Sequence, residues 1–449
     1  LRRFIAVVIS TLFVLGLAAT AFAIHAEIPA ETQAVVAKGA SQIMLGGSVR
    51  VRGELRDIDF DSDTATDAYY DERVRLSVDA KVTDNVQGFI MLESGTSTND
   101  VYTWGKPTPG GATGIYSTGT GGGGNVKPTD ITLLEGWILY TSGPAGLKVG
   151  HMPLALGNNL FFNHTKFGDD AIVVFVNPVP ELHLAALAIK FEEGSTGVPG
   201  TGNAQDQDGY VALAAYKGAG FNLSGDVTWV NLNGGSTFVL SPGDVVNIGL
   251  RGDVGLIEGL NLYGDVEFQT GKFLKDTAGE LDVKGYAFQV GAKLAVSGVN
   301  LGAEFGLGSG DDNAGDADFD LYITSLGSHL NVPNAYVYGY RVLTAAGATN
   351  TGISNTTYVR VNAGTNITDA LSAEAKVFWL QATEDVSLRG GAPDNALGWE
   401  VDGTIKYKVA RNLLYWVEGG YLIAGDAYND AAGEADDAYA VRHGIELTF

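Results

Sequence analysis

The chain has no cysteine, which excludes disulfides, thiolate-held metals and a C-x-x-C-H haem attachment. Basic residues are scarce, with 28 Lys and Arg against 52 Asp and Glu and a formal charge of −24. That balance disfavours nucleic acid or an anionic membrane surface as a partner. Beyond residue 23, no window approaches the roughly 18 uninterrupted apolar residues of a spanning helix. Any membrane crossing must therefore be made by strands. The six histidines, His25, His151, His164, His183, His329 and His443, form no local signature with a serine and an acid, so a hydrolase triad is not indicated.

What is abundant points to sheet. Sixty-two glycines, 19 tyrosines and 19 phenylalanines with only three methionines suit antiparallel strands joined by many turns. The first 23 residues carry Arg2 and Arg3, a long apolar run and the small-x-small ending Ala21-Phe22-Ala23. They read as a cleaved secretory signal peptide rather than a retained anchor. Residues 24–41, with Pro29 near the start and Gly39 near the end, suit a short N-terminal periplasmic segment, with a helix as one option. From 42 to 449 one pattern repeats: a strand of about 10 residues, a tiny turn, another strand, then a longer polar loop.

The tightest pairs are 70–82 with 86–97, 130–142 with 146–152, 171–177 with 182–192, and 209–217 with 220–231. They continue as 243–255 with 259–271, 281–296 with 298–308, 355–365 with 369–382, and 396–409 with 412–425. The turns hold Gly, Asn, Asp and Pro, whereas the loops between pairs are long and acidic, as in "GSGDDNAGDADFD" and "GDAYNDAAGEADD". Short turns at one end and long loops at the other are the asymmetry of an outer-membrane barrel. With a first strand at 42–56 and a last at 436–449, the count is about 18, with 16 to 20 compatible. It becomes 20 if "DFDLYITSL" and "AYVYGYRVL" within 309–354 both span.

Within strands, the period is two. Leu397, Trp399, Val401, Gly403, Ile405, Tyr407 and Val409 share one face, and Gly398, Glu400, Asp402, Thr404, Lys406 and Lys408 the other. So many polar residues per strand suit a water-filled interior with lipid outside. Aromatics at strand ends, including Trp399, Tyr407, Tyr421, Tyr439 and Phe449, then read as interfacial girdles. Phe449 would anchor the last strand at the periplasmic rim. An alternating strand ending in an aromatic resembles the signal by which the barrel-assembly machinery recognises its clients. His443 is out of place on the lipid face, unless it is neutral beside an aromatic or displaced by a bulge.

The stretch "LKVGHMPLALGNNLFFNHTKFGDDAIVVF" resembles a strand, Gly and aromatic-loop segment of alginate-export-type porins, with His151 and Met152 where that pattern has Arg and Gln. "NLGAEFGLGSGDD" followed by "FDLYITSLGSH" is similar to the same family's strand and Gly-Ser-Gly-Asp turn, and "EIPAETQAVVAKGASQIMLGGSVRVRGELRD" resembles porins of metal- and sulfur-reducing proteobacteria. The resemblance implies an 18-stranded porin. The strongly basic lumen of an alginate exporter is not present here.

Two motifs invite other chemistry. Asp61, Asp63, Asp67 and Glu72 match four positions of a calcium-binding loop, but Ala65 and Thr66 stand where a ligand and the obligatory glycine belong, so an exposed acidic loop is the better account. "TGTGGGG" lacks the Lys-Ser/Thr and helix of a phosphate cradle. No cofactor and no catalytic residues are indicated.

The candidate site is the lumen wall. Inward positions by alternation are Arg50, Arg52, Glu54, Arg73, Arg75, Asp79, Arg251, Asp253, Asp265, Glu267, Arg360, Glu400, Asp402 and Arg442. Arg50, Arg52, Arg73 and Arg75 would form a basic ladder on the first two strands, either setting a transverse field or simply pairing with acids across strands. The expected function is passive diffusion of small hydrophilic solutes or ions. A substrate-specific uptake or export channel, or a structural barrel serving a periplasmic electron-transfer or secretion component, is the alternative. Expected partners are outer-membrane lipid, lipopolysaccharide and the barrel-assembly machinery, with a homo-oligomer compatible and nucleic acid not.

Overall fold

The computed structural model describes residues 42–61, 66–95, 102–104, 130–192, 206–232, 243–275, 279–313, 315–324, 332–339 and 352–449. The expected leader, the segment 24–41, the glycine-rich stretch within 107–128 and Asp63 lie outside the described residues. Among the described residues there are 18 long strands. They are β1 Gln42–Asp57, β2 Asp67–Lys81, β3 Val86–Gly95, β4 Asp130–Ser142, β5 Ala145–Met152 and β6 Asp169–Val179. Next come β7 Leu182–Glu192, β8 Gln207–Gly218, β9 Phe221–Leu232, β10 Gly243–Ile257, β11 Leu260–Lys275 and β12 Tyr286–Val296. The set ends with β13 Val299–Gly308, β14 Thr356–Asn366, β15 Leu371–Val386, β16 Asp394–Ala410, β17 Leu413–Ala424 and β18 Ala438–Thr448. Each pairs antiparallel with the next, and β18 pairs with β1, closing an antiparallel barrel.

Closure explains the terminal phenylalanine. Phe449 N–H donates to Gly47 O at 3.0 Å and Gly47 N–H returns a bond to Phe449 O at 2.9 Å, so the last residue completes the seam against β1. The tight turns and Phe449 lie at one end of the barrel and the long connections at the other. The outer face is apolar: Leu250, Ile248, Val266 and Phe268 are exposed, while their neighbours Arg251, Asn247, Asp265 and Glu267 are buried inside. Exposed aromatics mark both ends of that face. Tyr216, Phe221, Tyr407 and Phe449 lie toward the turn end, and Tyr210, Trp229, Tyr286 and Trp399 toward the loop end. Phe221 and Trp229 are roughly 26 Å apart along one strand, which in a tilted strand matches an apolar band about 25 Å tall or slightly less.

His443 stays on the outer face without a bulge in β18. It packs edge-on to Tyr70 at 5.8 Å and beside Tyr415 at 6.0 Å, whose hydroxyl is 3.4 Å from Nδ1. The aromatic environment expected for a tolerated imidazole is therefore present.

Three shorter strands lie beyond the wall. Tyr102–Thr103 pairs with β2, Gly279–Val283 with the end of β11, and Asp318–Phe319 runs parallel to Asp282–Val283. The expected continuous strand 281–296 is thus broken at Lys284–Gly285. Register against β11 is kept across the gap, Gly271 facing Val283 and Phe268 facing Tyr286, and Gln269 N–H still donates to Gly285 O, while on the other side Lys284 N–H donates to Phe319 O of the incoming 318–319 strand. Among the described residues, neither half of 309–354 adds a wall strand. Residues 322–324 and 332–339 instead turn into the barrel.

These segments build an apolar core inside the loop-end mouth. Tyr322, Val337, Tyr338, Ile353 and Tyr428 are buried with the inward Phe378, Leu380 and Leu422, and Phe60 stacks on Tyr428 at 4.1 Å. Full burial of each large side chain contributes about 1.5–3 kcal/mol. Leu397 corrects the alternation reading: it is fully buried, not lipid-facing. The register shifts between Leu380 and Gln381, whose partners are Gly398 and Ala396, and Gly398 takes φ +117°. This bulge turns the Leu397 side chain to the interior core.

The bulge generates a test. Leu397→Ala is expected to destabilise the folded barrel by about 2–5 kcal/mol, as for a packed core leucine. Urea unfolding in lipid vesicles reads it, and an effect below about 1 kcal/mol would return Leu397 to a loosely packed position.

Candidate functional site

Three groups of inward side chains carry the charge of the wall. The first lies around the seam. Arg50 sits opposite Arg73 on β2 and Glu446 on β18. Arg52 makes a two-pronged contact with Asp71, Nε at 2.8 Å and Nη2 at 2.9 Å. Arg75 donates to Glu93 at 2.5 Å, and Arg73 to Glu446 at 3.3 Å. Arg442 donates to Glu418 at 2.9 and 2.5 Å and lies 3.7 Å from Glu54. The basic ladder is thus real in position, and its members share acids across neighbouring strands. Charge-assisted pairs of this kind fix side chains in place, so the row is a rigid wall rather than a set of mobile cations. Asp79, nearer the turn end, is held by Gln87 Nε2 at 2.8 and 2.9 Å.

The second group centres on Arg251. Its Nη1 reaches Asp226 at 2.5 Å, Nη2 reaches Glu267 at 2.7 Å, and Nε is 3.4 Å from Asp265. All four side chains are at most 6% exposed. Asn247 donates to Glu267 at 2.6 Å and Thr228 to Asp226 at 2.9 Å. Strand pairing explains the convergence: Arg251 faces Asp265 directly, and Asp226 and Glu267 both lie opposite Gly249, one inward position further along. One guanidinium serves three carboxyls, and the missing donors come from the loop between β5 and β6. Asn158 N–H donates to Asp265 at 3.1 Å. Gly157, at φ +55°, lies so close to the guanidinium that a Cβ would collide with it. Leu160, Phe161 and Phe162 of the same loop are buried, so the loop is pinned inside the barrel by an apolar run and by the Arg251 cluster.

The third group holds the other inner segment. Glu304 accepts from Arg360 at 2.9 Å, from the Tyr358 hydroxyl at 2.7 Å and from the Tyr263 hydroxyl. Asp253 accepts from Asn222 at 3.0 Å and Asn261 at 3.1 Å. Glu400 and Asp402 face the 332–339 segment and accept its backbone N–H groups. Gln269 links the groups, exchanging bonds with the main chain of Ile323 at 2.6 and 2.7 Å while donating to Asn247.

On the turn side of both inner segments lies a polar cavity of about 910 Å³, bordered by Gly157–Asn159, Arg251, Asp253, Tyr263, Lys293, Glu304 and Arg360. An adjoining cavity of about 430 Å³ shares Tyr263, Lys293 and Arg360 and is bordered by Asn334, Glu374 and Lys376. The aqueous space is therefore narrowed by main chain from two loops.

Alternation found the charged wall residues. It placed Gln269 inward without its partner, and it missed Asp226, Gly157, Asn158 and the 336–338 segment. Their signal was present in the loops: "LFF" and "AYVYGY" are too apolar and aromatic for solvent-exposed connections. The calcium-loop spacing corresponds to no shared site for Asp67 and Glu72. Both lie on β2, where five residues of separation put them on opposite faces; Asp67 is 3.3 Å from Arg56, and Glu72 accepts from Trp104 at 3.1 Å. His151 and Met152 end β5, His151 lying between Asp170 at 2.9 Å and Phe167 O at 2.7 Å.

No protein-family model matches the chain, and no curated protein matches it. Solved structures do. OccK11 (OpdR) of Pseudomonas aeruginosa superposes with a TM-score of 0.56 at 12% identity, covering 91% of this chain and 96% of that one. OccAB1 of Acinetobacter baumannii gives 0.56 at 12% over 90% and 96%. P. aeruginosa OpdK, solved with vanillate, gives 0.55 at 11% over 90% and 98%. At this identity the likeness establishes a shared barrel fold.

The Arg251 cluster generates a second test. Arg251→Gln leaves three buried carboxyls without their cation and is expected to destabilise the barrel by about 3–5 kcal/mol. Arg251→Gln/Glu267→Gln removes one repelling charge and should be less destabilised than Arg251→Gln alone, measured by urea unfolding. A loss below about 1 kcal/mol in Arg251→Gln would show that the carboxyls do not depend on the guanidinium.

Proposed function

We propose that this chain is an outer-membrane porin that passes small hydrophilic solutes or ions by passive diffusion and performs no covalent chemistry. The observation that carries the reading is the division of the wall into an apolar outer face and an inner face that is charged and hydrogen-bonded on most strands, β6–β8 instead turning Ala171, Ile189 and Val211 inward against the Phe161–Phe162 loop. A soluble barrel would reverse those faces, because charges are stable in water and apolar side chains are not. The structural neighbours share the closed barrel, a form suited to crossing a membrane with strands, which agrees with this location.

The inner loops make the passage narrow, which supports a selective channel over a wide, open one. The basic row on β1 and β2 stands across the lumen from the acid-rich cluster of β9–β11, an arrangement that orients dipolar or charged solutes in transit. At the loop end the connections are acidic, and their field favours cations at the mouth. The outer face would contact lipid, with lipopolysaccharide at the loop end. The closing strand and Phe449 would present the chain to the barrel-assembly machinery, after export through a leader within residues 1–23.

Planar-bilayer recording of the purified barrel under a salt gradient tests the reading. The expected result is discrete conductance steps with a cation-favouring reversal potential whose selectivity grows as salt is lowered, since screening lengthens from about 8 Å at 0.15 M to 30 Å at 0.01 M. A folded, heat-modifiable barrel that never conducts would overturn it.

A further inference from the structure

Glu400 and Asp402 occupy successive inward positions on β16, and both are buried. Buried carboxyls on a channel wall ordinarily pair with a cation on the next strand. Here Lys376 on β15 lies opposite Asp402, and both carboxyls also accept from main chain. Glu400 Oε1 accepts from Val337 N–H at 2.6 Å and Oε2 from Tyr338 N–H at 2.9 Å, while Asp402 Oδ2 accepts from Tyr336 N–H at 2.9 Å. Three consecutive amides are thus held by two side chains.

Neighbouring positions complete the seat. Gly420 on β17 lies opposite Asp402, and a Cβ there would come within 3.1 Å of both Tyr336 Cβ and Val337 Cγ2. The absence of a side chain at Gly420 therefore lets the segment lie against the wall. Arg442 on β18 stacks 5.9 Å from the Tyr336 ring, and the Tyr338 hydroxyl is 2.8 Å from Thr356 Oγ1 on β14. At the other end of this segment, Asn334 borders the cavity beside Lys293 and Arg360.

Resting on the porin reading, we propose that Glu400 and Asp402 are positioning residues for permeation: they clamp residues 336–338 onto β16–β17 and so set the bore of the channel. A carboxylate suits this task because it is an acceptor at both oxygens and can hold two adjacent N–H groups. An amide in its place turns a donor toward one of them and leaves that N–H without an acceptor.

The natural absence of cysteine makes the test clean. Val337 is fully buried, so V337C in the otherwise unchanged barrel should react slowly with a water-soluble maleimide. In the V337C/E400Q/D402N barrel, labelling should be about tenfold faster or more, and single-channel conductance should rise. V337C/E400Q, which keeps the Asp402 bond to Tyr336 N–H, should fall between and serves if the triple variant does not fold, with heat-modifiable migration reporting the folded barrel. Equal labelling rates, or faster labelling with unchanged conductance steps, would overturn the clamp as the determinant of bore. Faster labelling in barrels that never conduct would overturn the porin reading instead, while supporting the clamp.

Discussion

The structure depends on satisfying the backbone. In a hydrocarbon environment each unpaired N–H or C=O costs several kcal/mol, so a strand-built protein can cross only as a sheet with no free edge. The pairing of β1 with β18, finished by the reciprocal Gly47–Phe449 bonds, is what removes the edge. Once the sheet is closed, period two leaves no freedom: alternate residues face the surrounding solvent or the interior, and one apolar set and one polar set must divide between them.

The same rule governs the interior. Segments entering the lumen bring unpaired amides into a space walled by protein, and these must find acceptors. Inner-face carboxyls provide them, Asp265 for Asn158 and Glu400 with Asp402 for residues 336–338. This accounts for acids placed in excess of nearby cations, as in the three carboxyls around Arg251. A wall that looks over-charged as a set of strands is balanced once the inner loops are counted.

On the porin reading, paired charge would also shape transport. The guanidinium groups of Arg52, Arg75 and Arg442 are already hydrogen-bonded to acids, so they would present fixed dipoles to a passing solute rather than free cations. Such a wall would discriminate by orientation and size at the narrow level set by main chain.

Strand number, turn and loop ends, the outward aromatics and the inward charged residues were all legible in the linear sequence, because they follow from local periodicity and turn chemistry, which act over two to ten residues. Leu397 was misread, since a bulge adds one residue and inverts the alternation without changing composition. Residues 281–296 hold one register against β11 as alternation implied, whereas the parallel pairing of 282–283 with 318–319 joins segments remote in sequence. Which loops turn inward, and which carboxyl meets which amide, was decided only by the closed barrel. Those contacts join residues remote in the sequence, 107 positions apart for Asn158 and Asp265 and further still for Phe60 and Tyr428, and no local pattern encodes a partner brought near only by closure of the sheet.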